Sequence, residues 1–227
     1  MAHAVTTDHS PEHETTTGLD HRKLAMWAFL GSECLFFGTF ISTYLVYRNK
    51  SLVGPYPADV IDVPVTTVST FVLLMSSFMM VMTLHAIRRG DDRGFRVWIL
   101  GTALLGSVFL GFQVYEFREF YVHYGLSPAT NLFGSSFFVL TGFHGAHVTG
   151  GVIWLVSLLG QSLNGTLTQK DSLRVEIAGL YWHFVDIVWI IIFTLVYLLG
   201  ANDRPPGAEA SESHALFSNV LAQVPFV

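Results

Sequence analysis

The sequence predicts an all-α, polytopic membrane protein with five transmembrane helices in an antiparallel bundle. Of its 227 residues, 51% are hydrophobic and only 13% are charged, and the mean hydropathy is positive. Such a composition is typical of chains whose solvent is the bilayer. The hydrophobic residues form five blocks, each long enough to cross about 30 Å of hydrocarbon as a helix. The blocks lack the polar and apolar alternation of membrane strands.

The five predicted helices follow one another with short connections. They cover residues 24–47, 66–88, 95–118, 134–160 and 177–200. The intervening segments contain the helix breakers GPYPADVIDVP, RRGDDRG, YGLSPATN and NGTLTQKDS. Because connections this short make consecutive helices antiparallel neighbours, we expect one transmembrane domain over residues 22–200. No folded soluble domain fits beside it.

The two ends of the chain are predicted to be tails. Residues 1–21 contain almost nothing apolar, which predicts a disordered cytoplasmic segment. A metal bound by its histidines is an alternative: His3, His9, His13 and His21. No cationic segment with a small-residue cleavage site precedes the first block, so we expect no cleavable signal peptide. Residues 201–227 form the outer-side tail.

The distribution of positive charge predicts that the N-terminus is cytoplasmic and the C-terminus outside. In that orientation eight cations are cytoplasmic: Arg22, Lys23, Arg88, Arg89, Arg93, Arg96, Lys170 and Arg174. Four lie outside: Arg48, Lys50, Arg118 and Arg204. An excess of lysine and arginine marks the cytoplasmic side of membrane proteins.

An ionisable residue, Glu33, lies in the middle of the first apolar block, in MWAFLGSECLFFGTF. It is about 15 Å from the cytoplasmic end of the helix, near the midplane, where an ionised carboxylate is costly. It should therefore be neutral, paired or facing a polar cavity. His144 and His147 of the fourth block lie at similar depth, and we favour His147 as the partner. The position of Glu33 alone does not decide between a structural hydrogen bond to a neighbouring helix and a role as a proton-relay or carrier site.

Other polar residues have simpler structural interpretations. His183 and Asp186 are three residues apart on one helix face, where they satisfy each other or face the bundle. Trp182 belongs to the same segment and suits helix packing. His85 and His183 lie at similar depth and could in principle ligate a haem, although satisfied polar contacts are the simpler hypothesis. Further polar residues, near the outer end with Arg118, predict an interfacial cluster: Gln113 and Glu116.

Small residues at four-residue spacing predict helix packing, within the bundle or against a neighbouring subunit. One face is on the fourth block, with Gly142, Ala146 and Gly150, and another is on the first, with Cys34, Gly38 and Ser42. Cys34 is the single cysteine, which excludes an internal disulfide, and we expect it to be a packing residue.

Four segments resemble subunit III of the haem-copper respiratory oxidases, the cytochrome c and quinol oxidases. They are FLGSECLFFGTFISTYLVY, FQVYEFREF, GSSFFVLTGFHGAHVTGGVIWL and LYWHFVDIVWIIIFTLVYLLG, in the family's order. The most specific strings are TGFHGAHV and YWHFVDIVW. The family's buried glutamate falls on Glu33 and its paired histidines fall on His144 and His147. Its WHFVD motif falls on Trp182, His183 and Asp186.

The resemblance implies a subunit without haem or copper, since those groups belong to partner subunits. It implies direct contact with subunit I, bound phospholipid, and support of assembly, proton uptake and turnover stability, in the bacterial plasma membrane. Longer members have two further helices that form a V-shaped lipid cleft. Residues 1–21 are too few and too polar to supply them, so the chain resembles the short five-helix form.

Two other functions compete with this expectation. An independent proton-coupled carrier could use Glu33, although the five blocks show no internal repeat of the kind many carriers have. A haem-bearing membrane anchor could use His85 and His183. The sequence supplies no phosphate-binding loop and no nucleic-acid patch. The site of the electron donor, cytochrome c or a quinol, would lie on other subunits.

Overall fold

A computed structural model describes residues 20–204, and its elements are helices joined by short loops. In chain order they are α1 (His21–Tyr47), the short α2 (Pro57–Val60), α3 (Val63–Arg88), α4 (Asp92–Val122), α5 (Leu132–Leu163) and α6 (Ser172–Ile192). A 3-10 turn, Gln169–Asp171, precedes α6, and a π-helical segment, Phe193–Leu198, continues it. Five helices are long and apolar enough to cross a membrane, which confirms the predicted class. Most of the two predicted tails lies outside the described residues.

Four of the long helices begin two or three residues before the predicted blocks, after polar N-cap residues. The side chains of Asp20, Asp62, Asp91 and Asn131 accept hydrogen bonds from backbone N–H groups of the first turns of α1, α3, α4 and α5. A helix cannot satisfy its own first N–H groups, so a polar cap extends it beyond the apolar residues. The length of the apolar block alone therefore underestimates the length of each of these helices.

The helix α1 lies at the edge of the bundle. It packs on α5 and α6, whereas α3 packs on α4 and α6, and α5 also packs on α4 and α6. The buried residues of α1 are Leu30, Phe37 and Tyr44, each seven positions after the last. Two turns of a helix contain about seven residues, so this spacing makes one narrow seam. The rest of α1 faces outward, with Leu35 76% exposed.

The glycines that allow close packing differ from those predicted. A Cβ atom at Gly106 would lie 2.5 Å from Cη2 of Trp182, and one at Gly151 would lie 2.8 Å from Cζ3 of the same ring. Trp182 is 1% exposed and donates its Nε1–H to Ser76 Oγ at 3.0 Å. Glycines on α4 and α5 therefore make the slot that receives this indole.

The predicted packing faces on the first and fourth blocks do not hold this bundle together. No atom lies within 4 Å of a Cβ built at Gly38 or Gly142, and Gly150 meets only the Tyr181 hydroxyl, at 3.7 Å. Ala146 and Cys34 are exposed. A four-residue spacing puts small residues on one face of a helix but does not say which way that face points. Contact of these faces with a neighbouring subunit stays a prediction.

Ionic contacts connect the helix ends. Glu176 at the start of α6 pairs with Lys23 of α1 and, at 2.7 Å, with Arg88 of α3. Beyond the other end of α1, Arg48 donates to the Asp203 carboxylate and to the Leu199 carbonyl. The hydrogen bonds to Asp203 raise the pKa of Arg48 above its ordinary value.

We expect Glu176→Gln to lower the stability of the protein, because one carboxylate serves two cations from two other helices. The residue is partly exposed, so water screens both pairs and the expected loss is about 1 kcal/mol. Thermal unfolding of the purified protein in detergent measures it. Glu119→Gln is the matched control, since its only described ion pair is an exposed 3.6 Å contact with His123. Equal shifts for the two variants would contradict a bridging role for Glu176.

Candidate functional site: buried ionisable groups

The contact between Glu33 and His147 lies at the seam between α1 and α5. Oε2 of Glu33 is 3.2 Å from Nε2 of His147, and the two side chains are 16% and 18% exposed. The geometry fits an ion pair but not the alignment of a hydrogen bond. The rings of Phe36 and Phe37 lie beside His147. The structure thus brings together the two residues that helical depth selects from the sequence.

The hydrogens of His147 can be assigned from its other contact. Nδ1 lies 2.8 Å from the carbonyl oxygen of Phe143, and a carbonyl only accepts, so Nδ1 carries a hydrogen. Nε2 then faces Glu33, as a bare nitrogen when the ring is neutral and as a second N–H when the ring is an imidazolium.

His144, one turn away, belongs to a different environment. It is 0% exposed, and neither ring nitrogen has a hydrogen-bond partner among the described residues. Its ring stacks on Trp189, with centroids 4.8 Å apart, and meets the edge of Phe109 at 5.8 Å. The structure therefore separates the two predicted histidines: His147 contacts Glu33, whereas His144 is enclosed by aromatic rings.

His183 and Asp186 are joined by a residue that the sequence analysis did not single out. Oγ of Ser77 on α3 lies 2.8 Å from Nδ1 of His183 and also contacts Oδ2 of Asp186. The predicted common face is present, but a serine bridges the two side chains. The available signal was the polar pair SS in the middle of the apolar string LLMSSFMM.

His85 is exposed on α3, while His183 is engaged by Ser77. Within residues 20–204 no group of three or more His, Cys, Asp and Glu side chains is arranged to hold a metal ion. The hypothesis of a haem held by His85 and His183 gains no support from these contacts.

Gln113 and Glu116 have hydrogen-bond partners on other helices of the bundle. Gln113 is 7% exposed and donates Nε2–H to the Thr141 carbonyl at 2.6 Å. Glu116 accepts from the Tyr197 hydroxyl at 2.7 Å and lies 3.0 Å from Thr66 Oγ1. Gln113 is thus held between two helices, and its depth near the membrane interface stays a prediction. Both side chains connect helices, as most buried polar groups in a protein interior make hydrogen bonds.

Comparison with known proteins identifies the family of this chain. The family model for cytochrome c oxidase subunit III matches residues 4–201. A quinol oxidase subunit 3 of Bacillus spizizenii is 44% identical over 78% of this chain and 86% of its own length. A cytochrome c oxidase subunit 3 of Alkalihalophilus pseudofirmus is 38% identical over 89% of this chain and 100% of its own. One of Bacillus sp. strain PS3 is 37% identical over 84% and 92%.

The matched region contains all five long helices, together with the Glu33–His147 contact and the Ser77-bridged pair. The helices and the relatives together make this a multi-pass membrane protein that forms part of a respiratory oxidase complex. The chain belongs to the cytochrome c oxidase subunit III family.

Proposed function

We propose that this chain is the non-redox subunit III of a proton-pumping haem-copper terminal oxidase, with haem and copper carried by partner subunits. It contacts subunit I directly, in the plasma membrane, with its N-terminus in the cytoplasm. Its tasks are assembly, lipid binding and support of proton uptake and turnover stability. The observation that carries the proposal is the family match over residues 4–201. Within it, two motif residues from different helices, Glu33 and His147, meet.

In this proposal the Glu33–His147 pair has a positioning role. The helix α1 is attached by a narrow seam of three buried residues, so each further contact with α5 matters for its placement. The contact gives each polar side chain a partner inside the bilayer, where an isolated charge is costly. The pair thereby fixes α1 on α5 and tunes the assembly, and direct proton transfer through Glu33 is the less favoured role.

The exposed faces of α1 and α5 suit contact with subunit I and lipid. Gly38 and Gly142 leave open space at the surface, and small residues let another helix or an acyl chain approach the backbone closely. Large apolar side chains of the same two helices are also exposed, including Leu35, Phe143 and Ile153. In a membrane subunit such faces are covered by lipid or by a neighbouring protein.

Purification of the tagged chain from its own membranes in mild detergent tests the proposal. We expect haem and copper to arrive with a large multi-helix subunit, and the visible spectrum to disappear when the chain is then isolated. A colourless protein without partners, obtained from an intact preparation, would favour the independent proton-coupled carrier. Colour that stays with the isolated chain would favour the haem anchor. Either result would contradict the proposal.

A further inference from the structure

Three side chains from α3 and α6 form a hydrogen-bonded chain that the family assignment does not explain. Oγ of Ser77 lies 2.8 Å from Nδ1 of His183 and also contacts Oδ2 of Asp186. Asp186 is 3% exposed, whereas His183 is only partly buried. The chain therefore runs from the edge of the bundle to its interior. We propose that His183, Ser77 and Asp186 form a proton relay in which Asp186 stores one exchangeable proton.

The transfer balances without a co-reactant. Ser77 has one hydroxyl hydrogen and can accept another hydrogen bond, so it donates to one neighbour while it accepts from the other. When His183 is an imidazolium, its Nδ1–H passes to Ser77 Oγ as the serine hydrogen passes to Oδ2 of Asp186. The imidazolium becomes a neutral imidazole with its hydrogen on Nε2, the carboxylate becomes a carboxylic acid, and Ser77 is unchanged.

The environment of Asp186 favours the stored proton. Its second oxygen, Oδ1, is buried and has no hydrogen-bond partner in the described part of the chain. An anionic oxygen without a partner costs more than the carbonyl oxygen of a neutral acid. Before the transfer Ser77 donates to Oδ2 of Asp186. With the proton stored, Asp186 donates to Ser77, and Ser77 donates to Nδ1 of His183.

The buried or paired carboxylates and histidines on the neighbouring helices have contacts other than Asp186. Glu33 pairs with His147, Glu116 contacts Tyr197, and Glu176 holds its two cations at the helix ends. His144 stacks on Trp189, and His85 is exposed. Within residues 20–204 no ion pair involves Asp186. Within these residues, the contact through Ser77 is therefore the route by which Asp186 exchanges its proton with His183.

The experiment is infrared spectroscopy of the complex purified through the tagged chain. The unmodified protein should show the C=O band of a protonated carboxyl that Asp186→Asn removes. After transfer to D2O, Ser77→Ala should slow the shift of this band at least roughly tenfold, because the bridging hydroxyl is lost. Ser76→Ala is the matched control. Ser76 is the neighbouring residue, and its hydroxyl accepts the N–H of Trp182 instead of contacting Asp186. Hydrogen–deuterium exchange of the Asp186 carboxyl should therefore keep its original rate.

Two results would overturn the relay. One is a spectrum in which Asp186→Asn removes no protonated carboxyl, and the other is equal exchange rates for Ser77→Ala and Ser76→Ala. If Ser77→Ala does not assemble, Ser77→Cys keeps the size of the side chain with a much weaker hydrogen-bonding group. Carbon-13 labelling of aspartate in the unmodified complex adds a check that needs no variant. If the relay exists, the spectrum should contain the band of a labelled, protonated aspartate carboxyl. The inference goes beyond the proposed function, and its readout does not depend on oxidase turnover.

Discussion

Replacing Gly106 with leucine is expected to prevent the normal folding of this subunit. The first added atom would lie 2.5 Å and 2.9 Å from two ring carbons of Trp182 and 3.2 Å from Cγ2 of Val152. The indole cannot swing away easily, since it is enclosed and its N–H is bound to Ser76. Overpacking of a core costs about 1–3 kcal/mol or more, and leucine adds three further carbons beyond the clashing one. We therefore expect little of the variant in the purified complex.

The matched control is Gly142→Leu, on α5, where a Cβ atom meets nothing within 4 Å. Its fold should be retained, and any loss should be confined to contacts with other subunits or lipid. The amount of membrane-inserted chain and the midpoint of thermal unfolding measure both variants. Equal behaviour of the two leucine variants would contradict the slot described for Trp182.

Replacing Glu33 with leucine should lower stability by about 2 kcal/mol, below the 3–5 kcal/mol of fully buried pairs because this pair is partly exposed. The change leaves Nε2 of His147 without its partner in an apolar seam. Glu33→Gln keeps a polar group at the same distance and should lose much less. Thermal unfolding of the purified complex compares the two variants.

The same pair of variants separates a positioning role from proton transfer. Glutamine cannot titrate, so a group that must release a proton would fail in Glu33→Gln. We expect this variant to assemble and to pump protons at nearly the original ratio to electrons. A large loss of pumping in a fully assembled Glu33→Gln complex would show that Glu33 acts in proton transfer.

The helices and one site contact could be predicted from the sequence because they depend on length and depth. Uninterrupted apolar blocks require helices in a bilayer, and equal depth on two helices made Glu33 and His147 candidate partners. The helix starts were missed by a few residues because polar caps such as Asp62 and Asn131 extend helices past the apolar region.

The sequence did not predict which face of each helix packs inside the bundle. Gly142 and Gly106 both lie in apolar helices, yet only Gly106 contacts a neighbouring ring, since the rotation of each helix is set by the whole packed bundle. Ser77 was missed for the same reason. The local signal, a serine pair in an apolar string, does not identify its partners, because His183 and Asp186 lie on α6, more than one hundred residues later.

Removal of this chain from the purified oxidase tests the central claim most directly. The complex with and without the chain would be compared for haem and copper content, initial oxygen consumption and loss of activity over repeated turnover. We expect the metals and the initial rate to remain with the other subunits, and activity to decay faster when the chain is absent. Haem or copper that leaves with this chain, or decay that is identical in both preparations, would contradict a supporting, non-redox role.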